Sequence, residues 1–457
     1  MALAALLRFA IVSMGGGFPL NDGGMFYVMV EDLKANAYRL PEYTSYNGGS
    51  IPFAYPPAAF YMTAAISDVA GISTLDLLLF LPAVFSVFTV VAVYLLAKAM
   101  LPTERMAVAA TLVFAFVPRA FNWEIVGGGL TRSPGFFFAV LAVWQGYLLY
   151  SRGEKRHLIA TAVLAAATVL FHPEMGWFVA ASLGVFFSIM GRNRPAVLRS
   201  AALAAAVCVL TAPWWLEVLL RLGPDPLLAA SQTGGHSPFQ VLRPFLFEWT
   251  EEPLFPLAAA LGLLGVLACL RDRRFLLPAW LLAFFILDPR KAATTAEVPL
   301  AMLAAIGLFD VVLPLLRRPA PGGVGEVTPR WAYAAVGLAL FVYAPLSALY
   351  STTDERSPLV MLPEADREAM AWVKANTPPD AVFLVMPATG IARVDPALEW
   401  FPALAQRRSV LTVQGTEWIS GQFDTTKDAY EDLVDCLRSA ADCLQTSVAK
   451  GDFDHDF

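Results

Sequence analysis

Long apolar runs separated by short polar connections fill the first 350 residues of the chain. A helix needs about 20 apolar residues to cross the hydrocarbon core of a bilayer. On this basis we predict about eleven spans, at residues 2–20, 77–101, 106–118, 133–150, 158–171, 175–190, 197–220, 254–270, 275–287, 298–316 and 331–350. Only 15% of the residues are charged, against about a quarter in a typical soluble chain. The pattern predicts a mainly α, polytopic membrane helix bundle.

A different pattern follows the first apolar run. After the glycines at 15–17, apolar residues recur at helical spacing over 25–37, with charged residues opposite them. This predicts an amphipathic helix lying in the membrane interface. Glycines and prolines over 47–57 predict a loop, and residues 58–69 predict a second short helix.

The composition changes again after residue 350, where charged residues become frequent. Residues 363–376 and 428–446 have helical patterns, and 381–386 and 409–413 have strand patterns. Alternating helices and strands predict a small α/β domain over 351–457. The sequence stops without an obvious finishing element, which leaves the extent of this domain open.

The distribution of lysine and arginine predicts the orientation of the membrane domain, residues 1–350. Every second connection is basic, with clusters such as Arg152, Lys155 and Arg156. The positive-inside rule then puts the N-terminus in the cytoplasm and the C-terminal domain outside the cell membrane. The outer-face loops become 21–76, 119–132, 212–253 and 288–297. Because the basic clusters are short and explained by topology, we predict no nucleic-acid partner.

Most of the unusual polar residues fall on this outer side. Ionisable groups near membrane depth are costly, so they are candidates for function. They are Asp22, Glu124, Arg132, His172, Glu174, His236, Arg290 and Lys291, and Tyr55 stands with them in the Tyr55-Pro56-Pro57 stretch. Their location on one face favours a single site that opens outward.

Each candidate also has a structural interpretation. Asp22 is well placed to cap the amphipathic helix. Glu124 is either a solvated loop acid, a partner of Arg119 or Arg132, or a ligand-binding group beside glycines. Two histidines and two acids scattered over loops are a weak signal for a metal, since a metal site normally has three protein ligands or more. Arg290, Lys291 and Arg132 lie where the positive-inside rule disfavours bases, which favours contact with a phosphate.

The acid after the first span, the amphipathic helix, the Tyr55-Pro56-Pro57 stretch and Glu124 in the next outer loop resemble the GT-C superfamily. These integral-membrane glycosyltransferases use polyprenyl-phosphate-linked sugars, and many end in an extracytoplasmic α/β domain. The resemblance implies that Asp22 is the general base on an acceptor hydroxyl, or binds metal and acceptor, and that Glu124 is a second catalytic acid. It also leaves open whether a divalent cation, Mg or Mn, is bound by Asp22 and Glu124.

The resemblance implies a glycosyltransferase whose partners are a polyprenyl-phosphate sugar donor, membrane lipid and a glycan, lipid or protein acceptor. Many protein mannosyltransferases have an adjacent Asp-Glu pair where this chain has Asp22-Gly23, so the acceptor stays undetermined. The alternatives are a transporter or lipid flippase with an outer-face acidic gate, and a non-catalytic assembly protein. We find no convincing internal repeat, a feature that transporters often show.

Overall fold

A computed structural model of the chain describes residues 1–233, 247–287, 292–319, 326–353 and 359–439. It is mainly helical within these ranges. The helices, numbered in chain order, are α1 (Ala2–Met14), α2 (Gly24–Ala35), α3 (Ala58–Ala70), α4 (Thr74–Met100), α5 (Glu104–Phe116), α6 (Gly129–Arg152), α7 (Lys155–Phe171), α8 (Pro173–Met190), α9 (Arg194–Leu222), α10 (Asp225–Gln232), α11 (Leu257–Arg271), α12 (Leu276–Leu287), α13 (Ala292–Leu315), α14 (Arg330–Tyr350), α15 (Glu364–Asn376), α16 (Pro396–Leu404) and α17 (Gln422–Ser439).

Every apolar run predicted as a span corresponds to one of these helices. In the described part of the chain, six are long and apolar enough to cross a membrane, namely α4, α6, α8, α9, α13 and α14. Helices α1, α3, α11 and α12 are apolar but have only 10–17 residues. The mainly α membrane fold is therefore confirmed. The count of about eleven crossings stays a prediction, because short helices do not establish a crossing by length.

Small residues bring neighbouring helices into backbone contact. A β-carbon added at Gly265 of α11 would lie 1.8 Å from the carbonyl oxygen of Leu303 in α13. One added at Gly307 would lie 2.1 Å from the carbonyl oxygen of Leu261. Close approach through glycine is a common way for helices to associate in lipid, where packing replaces the hydrophobic effect.

Arg8 lies inside the bundle although α1 is otherwise apolar, and it is 0% exposed. Its Nε donates to Ser86 Oγ at 2.9 Å, and its Nη1 donates to the carbonyl oxygen of Ala115 at 3.0 Å. The guanidinium also lies 4.7 Å from the centre of the Phe121 ring. This basic residue thus connects α1 to α4 and α5 instead of facing lipid.

The predicted amphipathic helix is confirmed as α2, and the second short helix as α3. The apolar face of α2 is buried, with Met29, Val30 and Leu33 at most 2% exposed. Between the two helices, β1 (Tyr43–Thr44) pairs antiparallel with β2 (Ile51–Pro52). A second short antiparallel pair joins β3 (Arg318–Pro319) to β4 (Glu326–Val327).

The C-terminal region contains both predicted element types. Helix α15 agrees with the predicted one, and β5 (Val382–Phe383) pairs parallel with β6 (Arg408–Ser409). Both strands are shorter than predicted. At the edge of β6 that faces away from β5, Asn47 Oδ1 accepts the Ser409 N–H at 2.7 Å and Asn47 Nδ2 donates to the Ser409 carbonyl oxygen at 3.1 Å. A further strand would form its hydrogen bonds with these two backbone groups.

Two helices of this region differ from prediction. The sequence analysis missed α16, although Asp395 accepts the backbone N–H groups of Ala397 and Leu398 and Pro396 occupies the first turn, both ordinary signs of a helix start. Helix α17 begins at Gln422, before the predicted 428, and residues after 439 lie outside the described ranges. Trp400 of α16 packs against the loop before α2, where its ring centre is 4.6 Å from that of Phe18, and against α2 itself, where it is 6.4 Å from that of Tyr27. The C-terminal region therefore reaches the loop that carries Asp22.

Candidate active site

Asp22 lies between Asn21, which has a φ of +55°, and Gly23, which has a φ of +121°. Its Oδ1 accepts the backbone N–H of Gly128 at 2.7 Å. The interpretation of Asp22 as the cap of α2 is wrong, because Gly23, which has no side chain, occupies the N-cap position. The left-handed turn instead directs the carboxylate across to the beginning of α6.

Three consecutive glycines make room for this arrangement. A β-carbon at Gly128 would lie 2.2 Å from Asp22 Oδ2, and one at Gly127 would lie 1.8 Å from the Asp22 carbonyl oxygen. At Gly129 it would meet the carbonyl oxygen of Glu124 at 2.1 Å. Gly128 has a φ of −65°, which any residue adopts, so the requirement there is for space rather than for backbone freedom.

Arg132 in the first turn of α6 is the cation of the site. Its Nη2 lies 3.8 Å from Asp22 Oδ2, and the Asp22 side chain is 23% exposed. Its Nη1 donates to the carbonyl oxygen of Trp123. The negative charges of Asp22, Glu124 and Glu174 all act on the guanidinium. The sequence-predicted residues Asp22, Glu124, Arg132 and Glu174 are thus brought together.

Glu124 is 1% exposed, so its interpretation as a solvated loop acid is wrong. Arg119 has a partner elsewhere: its Nη1 lies 2.5 Å from Glu251 Oε1, and its Nε donates to Thr294 Oγ1 at 3.1 Å. Trp123 Nε1 donates to the same Glu251 oxygen at 3.2 Å. The loop before α6 therefore lies between two partly buried clusters of charged groups, one around Arg132 and one around Arg119.

A chain of hydrogen bonds runs along the other side of the site. The Tyr55 hydroxyl bonds His172 Nδ1 at 2.8 Å and Thr131 Oγ1 at 3.1 Å. His172 Nε2 lies 3.3 Å from Glu174 Oε2. Burial raises the pKa of the Tyr55 phenol, which keeps it a neutral hydrogen-bond donor. Thr131, which the sequence analysis did not single out, belongs to this chain.

Some predicted residues are not placed. His236, Arg290 and Lys291 lie outside the described residues. Among the residues described, no three or more His, Cys, Asp or Glu side chains form a group that could hold a metal ion. The charges of Asp22 and Glu124 both act on Arg132, so a guanidinium already supplies positive charge to these two carboxyl groups. The donor set within the described residues fits a resident metal poorly.

Glu399 of α16 is a member of the site that the sequence analysis missed. Its Oε1 accepts the N–H of Gly23 at 2.7 Å, and the residue is 3% exposed. Burial, and then the charge of Asp22, raise the pKa of this carboxyl group well above its usual value. A lone acid among apolar residues of 396–404 was its only sequence signal.

Part of the chain matches a known protein family. Residues 54–217 match a family model described as dolichyl-phosphate-mannose-protein mannosyltransferase. The match includes Tyr55, Glu124, Arg132, His172 and Glu174, whereas Asp22 lies before it. No curated protein matches the sequence.

Three solved membrane enzymes are similar in fold. The Archaeoglobus fulgidus oligosaccharyltransferase, solved with Zn and sulfate, has a TM-score of 0.56 and 17% identity, with 89% of this chain and 61% of that chain covered. ArnT from Cupriavidus metallidurans bound to undecaprenyl phosphate has a TM-score of 0.56 and 14% identity, covering 90% and 84%. The arabinofuranosyltransferase AftD from Mycobacteria has a TM-score of 0.58 and 18% identity, covering 87% and 31%.

The present chain spans about three fifths of the length of the Archaeoglobus enzyme. At such low identities the likeness concerns the fold. Fold and family match together confirm the resemblance to the GT-C superfamily of membrane glycosyltransferases.

Proposed function

We propose that this chain, whose fold is that of the GT-C membrane glycosyltransferases, transfers a sugar from a polyprenyl-phosphate-linked donor to an acceptor hydroxyl on the extracytoplasmic face. The observation that carries the proposal is the Asp22 carboxylate, held by the Gly128 N–H at 2.7 Å with Arg132 at 3.8 Å. A fixed carboxylate beside a partly buried cation suits the removal of a proton next to a departing phosphate.

In the proposed reaction, Asp22 takes the proton of the acceptor hydroxyl. The acceptor oxygen attacks the anomeric carbon of the sugar, and the bond from that carbon to the phosphate oxygen breaks. The electron pair leaves with the polyprenyl phosphate, so the displacement inverts the anomeric configuration. The protein supplies orientation and charge, and the phosphate is a reasonable leaving group from the start.

Arg132 is assigned to the phosphate, because a guanidinium binds phosphate oxygens in a fixed fork. Glu124, the second proposed catalytic acid, holds Arg132 from its buried side. Tyr55, His172 and Glu174 are proposed to bind the sugar or the acceptor through their hydrogen-bond chain. His236, Arg290 and Lys291 remain proposed substrate and phosphate contacts from the outer loops. No step needs a metal ion.

Two solved relatives support the donor class. ArnT was solved bound to undecaprenyl phosphate, and the archaeal oligosaccharyltransferase AglB was solved with an inhibitory peptide and a dolichol-phosphate. A donor of this kind would bring the reaction to the bilayer surface. Together with the sequence-based topology, this supports an active site outside the cytoplasm, a cytoplasmic N-terminus and an outer C-terminal domain. The acceptor is a glycan, a lipid or a protein.

The test compares wild type with Asp22→Asn on a panel of radiolabelled polyprenyl-phosphate sugars, each offered with a panel of envelope acceptors. We expect one donor to be used by the wild type and transfer to fall by about 10²–10⁴-fold in the variant, the range for loss of a general base. Undiminished transfer by Asp22→Asn contradicts the general-base role. If no donor is used and liposomes show coupled uptake, the transporter alternative is correct.

A further inference from the structure

The loop residue Asp22 is held from both sides by one segment of the C-terminal region. On one side, Trp400 Nε1 donates to the carbonyl oxygen of Asn21 at 3.1 Å. On the other side, Glu399 Oε1 accepts the N–H of Gly23 at 2.7 Å. Both peptide bonds that flank Asp22 are therefore bound by neighbouring residues of α16.

This contact is buried and closely fitted. Trp400 is 0% exposed and Glu399 is 3% exposed. The Tyr46 hydroxyl donates to the carbonyl oxygen of Glu399 at 2.6 Å. A β-carbon at Gly24 would lie 2.6 Å from that same carbonyl oxygen, so α16 could not lie this close to the start of α2 if residue 24 had a side chain.

The Glu399 carboxyl group is an unusual choice for such a place. An apolar residue would pack at less cost, since a buried charge is strongly disfavoured. Its Oε2 is buried without a hydrogen-bond partner among the described residues. The charges of Asp22 and Glu417 act on it as well. A neutral carboxylic acid, with its carbonyl oxygen toward Gly23, is buried at less cost than a carboxylate.

We propose that Glu399 is a positioning residue for the transfer reaction: by binding the Gly23 N–H it fixes the peptide that carries Asp22, and so the direction of the catalytic carboxylate. Trp400 fixes the preceding peptide in the same way. This inference rests on the proposed function of Asp22. It assigns to the C-terminal region a part in catalysis in addition to any part in binding.

The test uses the full chain in detergent or nanodiscs, with the polyprenyl-phosphate sugar that the wild type turns over. Glu399→Leu removes the acceptor for Gly23, and Glu399→Gln keeps a carbonyl oxygen in the same place. We expect Glu399→Leu to lower kcat by about 10- to 100-fold with little change in KM, because small displacements of a catalytic group are that costly. Glu399→Gln should restore kcat to within about threefold of wild type, since it preserves that geometry.

Tyr46→Phe is the matched control, since it removes one hydrogen bond from the same buried contact without touching the peptides around Asp22. Its melting temperature should fall while kcat is unchanged. Hydrogen–deuterium exchange of a peptide covering 21–27 supplies a readout without turnover, and should rise in Glu399→Leu but not in Glu399→Gln. Equal losses of kcat in Glu399→Leu and Tyr46→Phe show a merely structural role and overturn the proposal.

A failure of the positioning role of Glu399 can be distinguished from a failure of the proposed glycosyltransferase function. If Asp22→Asn abolishes transfer and Glu399→Leu leaves it intact, the positioning role is wrong and the glycosyltransferase proposal stands. If Asp22→Asn transfers normally, the role of Asp22 is wrong, and Glu399 no longer has a catalytic group to position. Unchanged exchange at 21–27 in Glu399→Leu overturns the positioning role whatever the activity.

Discussion

Gly128→Ala removes no charged group and no hydrogen-bond donor, yet it should disable the proposed active site. Gly128 has ordinary helical backbone angles, φ −65° and ψ −10°, so alanine is tolerated by the backbone. The added β-carbon would lie 2.2 Å from Asp22 Oδ2 and 2.6 Å from Asp22 Cγ. The whole carboxylate group must therefore move.

The size of that movement follows from the contact distances. Ordinary van der Waals contact begins at 3.4 Å against the 2.2 Å found here, so Oδ2 must retreat by the difference, about 1.2 Å. A misplacement of about 1 Å costs on the order of 10²-fold in rate. At 1.36 kcal/mol for each factor of ten, this is a barrier increase of about 2.7 kcal/mol.

The measurement is kcat/KM for sugar transfer by the purified variant. Gly184→Ala is the matched control, because a β-carbon added there meets nothing within 4 Å, and it should transfer like the wild type. Melting curves of both variants separate a misplaced carboxylate from a misfolded chain. If folded Gly128→Ala retains wild-type kcat/KM, either the carboxylate position has no part in the reaction or Asp22 is not the base.

Three further predictions concern the side chains of Arg132, Tyr55 and Glu399. Arg132→Gln should lower transfer by about 10²–10³-fold, the cost of losing an electrostatic stabiliser, and added salt should not restore it; wild-type rates would refute the phosphate role. Tyr55→Phe, which loses the 2.8 Å bond to His172, should lower the free energy of unfolding by about 1 kcal/mol, whereas an unchanged melting curve contradicts this. Because burial raises the pKa of Glu399 above its ordinary 4.5, the folded protein binds that proton more tightly, and stability is lost as pH rises from 4.5 through the folded pKa. Glu399→Gln should remove this decline in stability. A difference in melting temperature between wild type and Glu399→Gln that stays constant with pH would contradict the prediction.

Most helices were predictable because they have a local signal, either a run of apolar residues or a 3.6-residue repeat, whereas α16 was missed. Helix α2 was recovered from its amphipathic pattern, and α15 from its helical periodicity. The lengths of β5 and β6 were overestimated, because each strand pairs over only two residues, and the outer edge of β6 is occupied by the Asn47 side chain, which lies far away in the chain.

The site was predictable in its members but not in its contacts. Topology placed Asp22, Glu124 and Arg132 on one face, and the structure brings them together. The capping prediction for Asp22 failed because a distant backbone N–H, at Gly128, competes for the same carboxylate. The contact of Glu399 with the Asp22 loop could not be predicted, since 376 residues separate Glu399 from Gly23. No pattern in the sequence around Glu399 indicates a contact with that loop.

The buried guanidinium of Arg8 has a consequence for the order in which the chain enters the membrane. An arginine at the centre of a helix costs about 2.5–3.5 kcal/mol on insertion from the translocon. The groups that receive its hydrogen bonds, Ser86 and Ala115, are synthesised much later. We therefore expect α1 to settle in the bilayer only after α4 and α5 have left the ribosome. Helix α1 would then reach its final position after two helices that follow it in the sequence.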